Sequence, residues 1–347
     1  MPTFASPAAR LARHAFLLVV ALIVIACSSG AATSPVAPTA SPSAAAPSLA
    51  ASSLPASSPA ASPAAVTYPL TLTDDEGTSI TLPAEPQKIV SLTPAETEIL
   101  FALGAGDRVV GKVEDIANYP PEAADVPVMG RFDGVDVEQI VDAGADLVLA
   151  GGSGGTPPDA IERLRAVGIP VLVVYAKDVD GALADVQLTA DAVGRSAEGE
   201  AMVDEMRAAF DEVAEATADL ERPRVFIETG NQPAIYGIAD DSVYAEMIEL
   251  AGGEAVTTGS ATNWEMPVER LVAEDPEIIL LADAAYGATA DEVRGRPGWD
   301  VVTAVRDDAI QPIDDIVTTR PGPRLTEGLQ ALLAAIHPDV KVGSRRY

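Results

Sequence analysis

Two Rossmann-like α/β lobes with parallel sheets, joined by one long rigid helix, are the architecture that this sequence predicts. Three observations carry that reading. Short apolar runs alternate with helical patterns over residues 88–175. The alternation stops over 181–220 and resumes at Arg224. A stretch of the first half is also echoed in the second.

The first lobe is read from four apolar runs: KIVSL (88–92), RVVGKV (108–113), DLVLAG (146–151) and PVLVVY (170–175). Residues 95–103, 137–143 and 158–167 lie between them and have helical patterns. Strands that alternate with helices form parallel sheets covered by those helices. The rhythm returns in RVFIETG (224–230), EIILLA (277–282) and AIQPI (309–313).

Between the two sets, Met202, Met206, Ala209, Val213, Ala216 and Leu220 recur at alternating spacings of four and three, one face of an α-helix. A helix over 197–220 is about 36 Å long at ~1.5 Å per residue. Pro223 ends it, because proline disfavours helix at the residue before it. A single helix of that length would hinge the lobes stiffly.

The echo pairs VEQIVDAGADLVLAG (137–151) with VERLVAEDPEIILLAD (268–283). Glu138 and Glu269 fall at the same place in the two copies. Duplicated lobes place a ligand between them, where clefts commonly bind small molecules.

The chain starts differently. Residues 1–26 hold Arg10, Arg13 and His14 and no acid. Twelve uncharged residues, Ala15 to Ala26, close the segment. That is short of the roughly 20 residues of a membrane-spanning helix. A basic start, a short apolar core and small residues at the end read as a secretory signal. Cys27 is the only cysteine of the 347 residues, which rules out a disulfide framework. It stands at the cleavage point in VIAC, which resembles the lipobox of bacterial lipoproteins. Cys27 is thus expected to be lipidated and to hold the chain to the outer face of the cell membrane. An Ala/Ser/Pro tract without charge or aromatic residue follows to residue 66. It cannot bury enough apolar surface to offset chain entropy, and as a flexible tether it spans about 35 Å. The expected division is a signal at 1–26, anchor and tether at 27–66, lobes at 67–180 and 222–347, and connecting helices at 181–221.

Composition excludes more than it identifies. The chain has 22 Lys+Arg against 52 Asp+Glu, a net charge of −30. Such a surface repels nucleic acid and anionic head groups.

The strings KIVSLTPAETEILFALGAGDRVVG, NYPPEA, VDVEQIVDAGADLVLA, GIPVLVV, ELAGGEAV, RPGW and RPGPRL, in this order, resemble the iron-complex/cobalamin class of substrate-binding proteins of ABC importers. The resemblance runs from Lys88 to His337. It implies two α/β lobes around a rigid backbone helix, ligand in the cleft, small closure motions, and permease and ATPase subunits as partners. It also implies that Glu138 and Glu269 dock onto arginines of the membrane subunits, where two separated charges give register and faster encounter. A monomer without enzymatic activity or resident cofactor is expected.

The first 26 residues apart, the chain has one histidine, His337. Bare Zn²⁺ or Mn²⁺ needs clustered His and carboxylate ligands. The expected cargo is therefore a chelated metal or another organic molecule that brings its own polarity, and the resemblance implies a ferric siderophore, cobalamin or haem. Thr93, Arg131, Phe132, Tyr236, Trp264 and Arg320 are the expected cleft residues. Thr93 follows the first strand, where open α/β sheets bind ligands. Phe132 matches an aromatic position of the family's cobalamin binder, whereas Ile116 and Gly151 stand where it has two further aromatics. Arg320 could pair with a ligand carboxylate or phosphate. Tyr119, Tyr175, Tyr236 and Tyr286 are open as axial haem ligands.

Two rivals come from other classes. GGSGG (151–155) fits the G-x-S-x-G elbow of a serine hydrolase, with Ser153 as nucleophile and His337 as base. The elbow needs a helix straight after the serine, and GGTPP intervenes. A tethered receptor or scavenger would share the fold and the cleft without needing Glu138 and Glu269.

Overall fold

The computed structural model describes residues 66–131, 134–152 and 155–343. Cys27, the signal, the tether to residue 65, Phe132 and Ser153 lie outside the described residues.

The first lobe opens with an antiparallel hairpin, β1 (Leu70–Thr73) and β2 (Ser79–Leu82), in which the hydroxyls of Thr71 and Thr81 meet at 3.0 Å. Its turn is tied to the lobe by Arg165 Nη2, which donates to Asp74 Oδ2 at 2.9 Å. The main sheet takes β3 (Ile89–Ser91), β4 (Val109–Val113), β5 (Val128–Arg131), β6 (Gly134–Val135), β7 (Leu147–Ala150) and β8 (Val171–Val173) in the order β6-β5-β4-β3-β7-β8. All pair in parallel except β6, which runs antiparallel to β5. Helices α1 (Pro94–Ala102), α2 (Val137–Ala143) and α3 (Pro158–Ala166) join them.

Helix α4 (Val179–Ala192) and the long α5 (Ser196–Thr217) connect the lobes. The second lobe has a four-stranded, all-parallel sheet. Its strands are β9 (Arg224–Glu228), β10 (Glu254–Ala255), β11 (Ile278–Leu281) and β12 (Ile310–Pro312), in the order β10-β9-β11-β12. Helices α6 (Val243–Leu250), α7 (Val268–Glu274), α8 (Ala290–Arg294), α9 (Thr303–Arg306), α10 (Asp315–Thr319) and α11 (Leu325–Ile336) complete it.

The strands are near-continuous apolar runs because both faces are covered. Side chains alternate across a strand. Leu147 and Leu149 enter one core, Val148 and Ala150 another. In the second lobe Val225 and Ile227 face one core and Phe226 the opposite one. The shared core takes Ile89, Leu149, Leu280 and Leu329 from the two lobes and Met202, Met206, Phe210 and Val213 from α5. Helix α5 therefore packs one face into a core common to both lobes.

It ends earlier than the expected residue 220. Thr217 Oγ1 reaches back to the carbonyls of Val213 and Ala214, at 3.0 and 3.3 Å, and across to Leu250 O at 3.2 Å. These bonds occupy last-turn carbonyls, and Leu220 lies exposed beyond them. Strands β1, β2, β5, β6 and β10 are also absent from the sequence reading.

The echoed segments fold alike. Helices α2 and α7 each have seven residues, end on a left-handed residue (Gly144, φ 68°; Asp275, φ 45°), and lead into β7 and β11. Among the described residues no helix is long and apolar enough to cross a membrane.

Candidate functional site

Ligand sites in parallel sheets form beyond the carboxyl ends of strands. Thr93 follows β3, Gly151 follows β7 and Tyr175 follows β8, and all three line one cavity of about 830 Å³. Tyr244, Trp264, Ile316 and Arg320 of the second lobe line it too, so it lies between the lobes.

Local chemistry places each wall. Thr93 caps α1, its Oγ1 accepting from Glu96 N at 3.2 Å. A Cβ on Gly151 would stand 2.8 Å from Thr93 Cγ2, and one on Gly152 would stand 2.7 Å from the Tyr175 ring. Glycine at both positions lets the loop pass directly beneath these two side chains. Trp264 meets Tyr244 edge to face, with centroids 5.6 Å apart and planes at 64°.

Of the six expected cleft residues, Thr93, Trp264 and Arg320 are brought together here. Arg131 is exposed at the end of β5, 3.8 Å from Glu114, and does not line the cavity. Tyr236 also lies off it, in a backbone bridge with Gly230 and Glu265. Phe132 is outside the described residues.

Arg320 is engaged within the protein. It crosses from the second lobe to the first, donating to Glu98 Oε1 and, at 2.8 Å, to Asp115 Oδ1. Arg324 Nη2 donates to Glu98 Oε1 at 2.8 Å, and Arg324 Cζ lies 3.7 Å from the centroid of the Tyr119 ring. Burial would raise Asp115, but the hydrogen bond and charge of Arg320 outweigh it and hold the carboxyl below its usual range. The expected pairing of Arg320 with a ligand carboxylate meets a site that two protein carboxylates already fill.

The acids of the cavity carry no signal along the sequence. Glu96 and Asp185 line it, 3% and 5% exposed, and Glu76 stands at its exposed edge. Burial lifts Glu96 to about 7, against the opposing bond from Thr189 Oγ1 at 2.8 Å. Burial, then the charges of Asp75 and Glu96, lift Asp185 to about 9. At neutral pH Asp185 therefore holds its proton, while Glu96 is divided between the protonated and ionised forms. Tyr175 and Gly151, both named from the sequence, stand after strands, where such a site forms. Glu96 and Asp185 point inward from helices, which strand-end reasoning does not reach.

Of the tyrosines left open, Tyr175 lines the cavity, Tyr119 stacks on Arg324, and Tyr286 donates to Asp315 Oδ2 at 3.1 Å. His337 caps α11, with Nε2 3.0 Å from Gly252 O. Helix α3 begins at Pro158, five residues past Ser153, where a nucleophile elbow has no use for it. Among the described residues no group of three His, Cys, Asp or Glu could hold a metal ion.

Glu138 and Glu269 are each the second residue of a seven-residue helix, exposed and without an ion pair among the described residues. Exposed valines flank them: Val141 and Val167 near Glu138, Val268 beside Glu269.

The sequence profile of the family described as periplasmic binding protein matches residues 89–316. An uncharacterized ABC transporter substrate-binding lipoprotein, YvrC of Bacillus subtilis, is 34% identical over 278 residues, covering 78% of this chain and 87% of its own. A vitamin B12-binding protein of Yersinia pseudotuberculosis is 27% identical over 205 residues, covering 58% and 72%. The structure of a periplasmic heme-binding protein, RhuT of Roseiflexus sp. RS-1, superposes with a TM-score of 0.64 at 26% identity, covering 73% of this chain and 98% of that one. With two parallel-sheet lobes, a shared helix and a cavity between them, the chain belongs to the periplasmic binding protein family, among the substrate-binding lipoproteins of ABC transporters.

Proposed function

We propose that this chain is the extracytoplasmic receptor of an ABC importer, that it captures a chelated metal between its lobes, and that it delivers the complex to the membrane subunits. Cargo of this class would be a ferric siderophore, cobalamin or haem. The observation that carries the reading is the interlobe cavity of about 830 Å³, with Tyr175, Tyr244 and Trp264 on its walls and hydroxyl, backbone and carboxyl groups between them. Aromatic walls with a few placed polar groups suit a large organic complex that supplies its own metal ligands. Cys27 would carry the lipid, and residues 28–66 would let the lobes move at the membrane surface.

Glu138 and Glu269 would dock onto basic residues of the permease. Two equivalent, exposed carboxylates beside apolar side chains, without an ion pair among the described residues, support that role. A scavenger of the same fold has no need of them.

The test is calorimetric titration of the chain with cobalamin, ferric siderophores and haemin. Submicromolar affinity for one of them is the expected result, and no binding to any would defeat the cargo reading. Uptake is then measured in cells carrying Glu138→Ala with Glu269→Ala. Loss of uptake at unchanged ligand affinity is expected, while undiminished uptake would reject the docking role and favour the scavenger.

A further inference from the structure

The turn of the first hairpin reaches the interlobe cavity. Strands β1 and β2 lie before residues 89–316, the part of the chain that matches the family profile. The turn between them is clamped onto the end of β8. Asp74 Oδ2 accepts from Arg165 Nη2 at 2.9 Å and from Val173 N at 3.4 Å, and Asp75 N donates to Val173 O at 3.1 Å. Asp74 Oδ1 closes the turn by accepting from Thr78 N at 2.7 Å. Glu76, the next residue along, lines the cavity.

One bond leads from this turn to the cavity wall. Val174 N still follows the sheet, donating to Ala150 O at 2.8 Å. Tyr175 N lies past the ladder, and Asp75 Oδ2 accepts from it at 2.6 Å. A backbone N–H that leaves a sheet needs such a partner, and a charged acceptor makes the stronger bond. The Tyr175 ring lines the cavity beside Gly152, where a Cβ would stand 2.7 Å from it, and its centroid is 5.5 Å from Lys177 Nζ. With so little room at Gly152, the placement of the Tyr175 backbone decides where the ring stands.

Asp75 is held in turn by α4. Asp185 is 5% exposed, lines the same cavity and shares a hydrogen bond with the Asp75 side chain. Two carboxyl groups can share a hydrogen bond only while one of them keeps its proton. Burial keeps it on Asp185 up to about pH 9, followed by the charges of Asp75 on the turn and Glu96 on α1, the bond to Asp75, and the charge of Asp178 at the start of α4. From α6, Glu246 Oε2 accepts from Val179 N at 2.7 Å.

We propose that the hairpin turn shapes the cargo site: Asp75, bridged to Asp185, is a positioning residue that sets where Tyr175 stands on the cavity wall, and cargo binds tightly only while that bridge is whole. This rests on the reading of the cavity as the cargo site.

A reporter on the wall tests the positioning with or without cargo. The full-length chain in detergent carries 4-fluorophenylalanine in place of Tyr175, a label that does not titrate, and its ¹⁹F signal is followed. The signal is expected to move in Asp75→Ala. In the otherwise unaltered chain it should move the same way as pH rises from 7 to 9.5, because Asp185 loses its proton and the two carboxylates repel. In Asp185→Asn, whose amide donates to Asp75 at any pH, that movement should vanish. Unlabelled chains are then titrated at pH 7 with cyanocobalamin, ferrichrome and haemin. Whichever binds should bind about tenfold more weakly to Asp75→Ala, the worth of one hydrogen bond to a charged group. Asp75→Asn keeps an acceptor for Tyr175 N and supplies its own donor, so it should restore the affinity. A ¹⁹F signal unmoved by pH would overturn the proposal even where Asp75→Ala folds poorly, and so would wild-type affinity in Asp75→Ala. Binding of none of the three probes would defeat the cargo reading alone, and the ¹⁹F signal would then decide the positioning.

Discussion

Glu96 and Asp185 are carboxyl groups sealed against a cavity wall, and their protonation is linked to folding. Their folded values, about 7 and about 9, lie above the unfolded ones. From about pH 4 upward the unfolded chain releases these protons while the folded chain keeps them. Their contribution to stability is therefore fully present at the acid end and is lost as pH rises toward 7 for Glu96 and 9 for Asp185. Glu96→Gln keeps the shape and removes the titration. It is expected to gain about 1–3 kcal/mol over wild type at pH 8.5 and to gain little at pH 4.5. Asp185→Asn should behave in the same direction. Thermal melts at the two pH values check this, and an equal effect at both would mean that the side chains titrate normally.

At the scale of elements, α5 does more than space the lobes. Met206 is fully buried in a core that takes residues from both sheets. Met206→Ala leaves a cavity in that shared core and is expected to cost about 2–5 kcal/mol. Both lobes should lose that stability together, as one shifted urea transition for tryptophan fluorescence and far-ultraviolet circular dichroism. Two separated transitions would show that each lobe stands without the helix. Of the elements, the long apolar strands and α1, α2, α3 and α5 are legible in the sequence, because burial on both faces leaves an unbroken apolar run and a buried helix face leaves a 3.6-residue period. The hairpin β1–β2 has a legible signal as well, in the alternation of LTLT and SITL around DDEG. Strands β6 and β10 have two residues each, and β5 runs through a glycine, so nothing periodic marks them.

At the scale of the whole molecule, the two lobes meet through a neutral cluster of two arginines and two carboxylates: Arg320, Arg324, Glu98 and Asp115. Glu98 is 2% exposed, so removing a partner leaves a buried charge. Arg320→Ala is expected to cost about 3–5 kcal/mol for that reason. It should also loosen the contact between lobes and speed ligand release. Chemical denaturation and stopped-flow dissociation measure the two effects, and a variant as stable as wild type would show that the cluster is solvated in solution.

The architecture and the family are legible along the chain, together with the strand end where Thr93 meets the cavity. Those follow from local features: apolar runs, a helical period, a repeated helix-to-strand joint, and residues such as Thr93 that stand at strand ends. Tertiary structure alone decided what the cleft offers a ligand. Arg320 and Glu98 are 222 residues apart, so a guanidinium that reads as free along the chain is neutralised only when the lobes meet. Glu96 and Asp185 read as two more acids among 52, and folding makes them special by burying them. Burial and long-range pairing are properties of the packed chain, and the charge of the site is set by both.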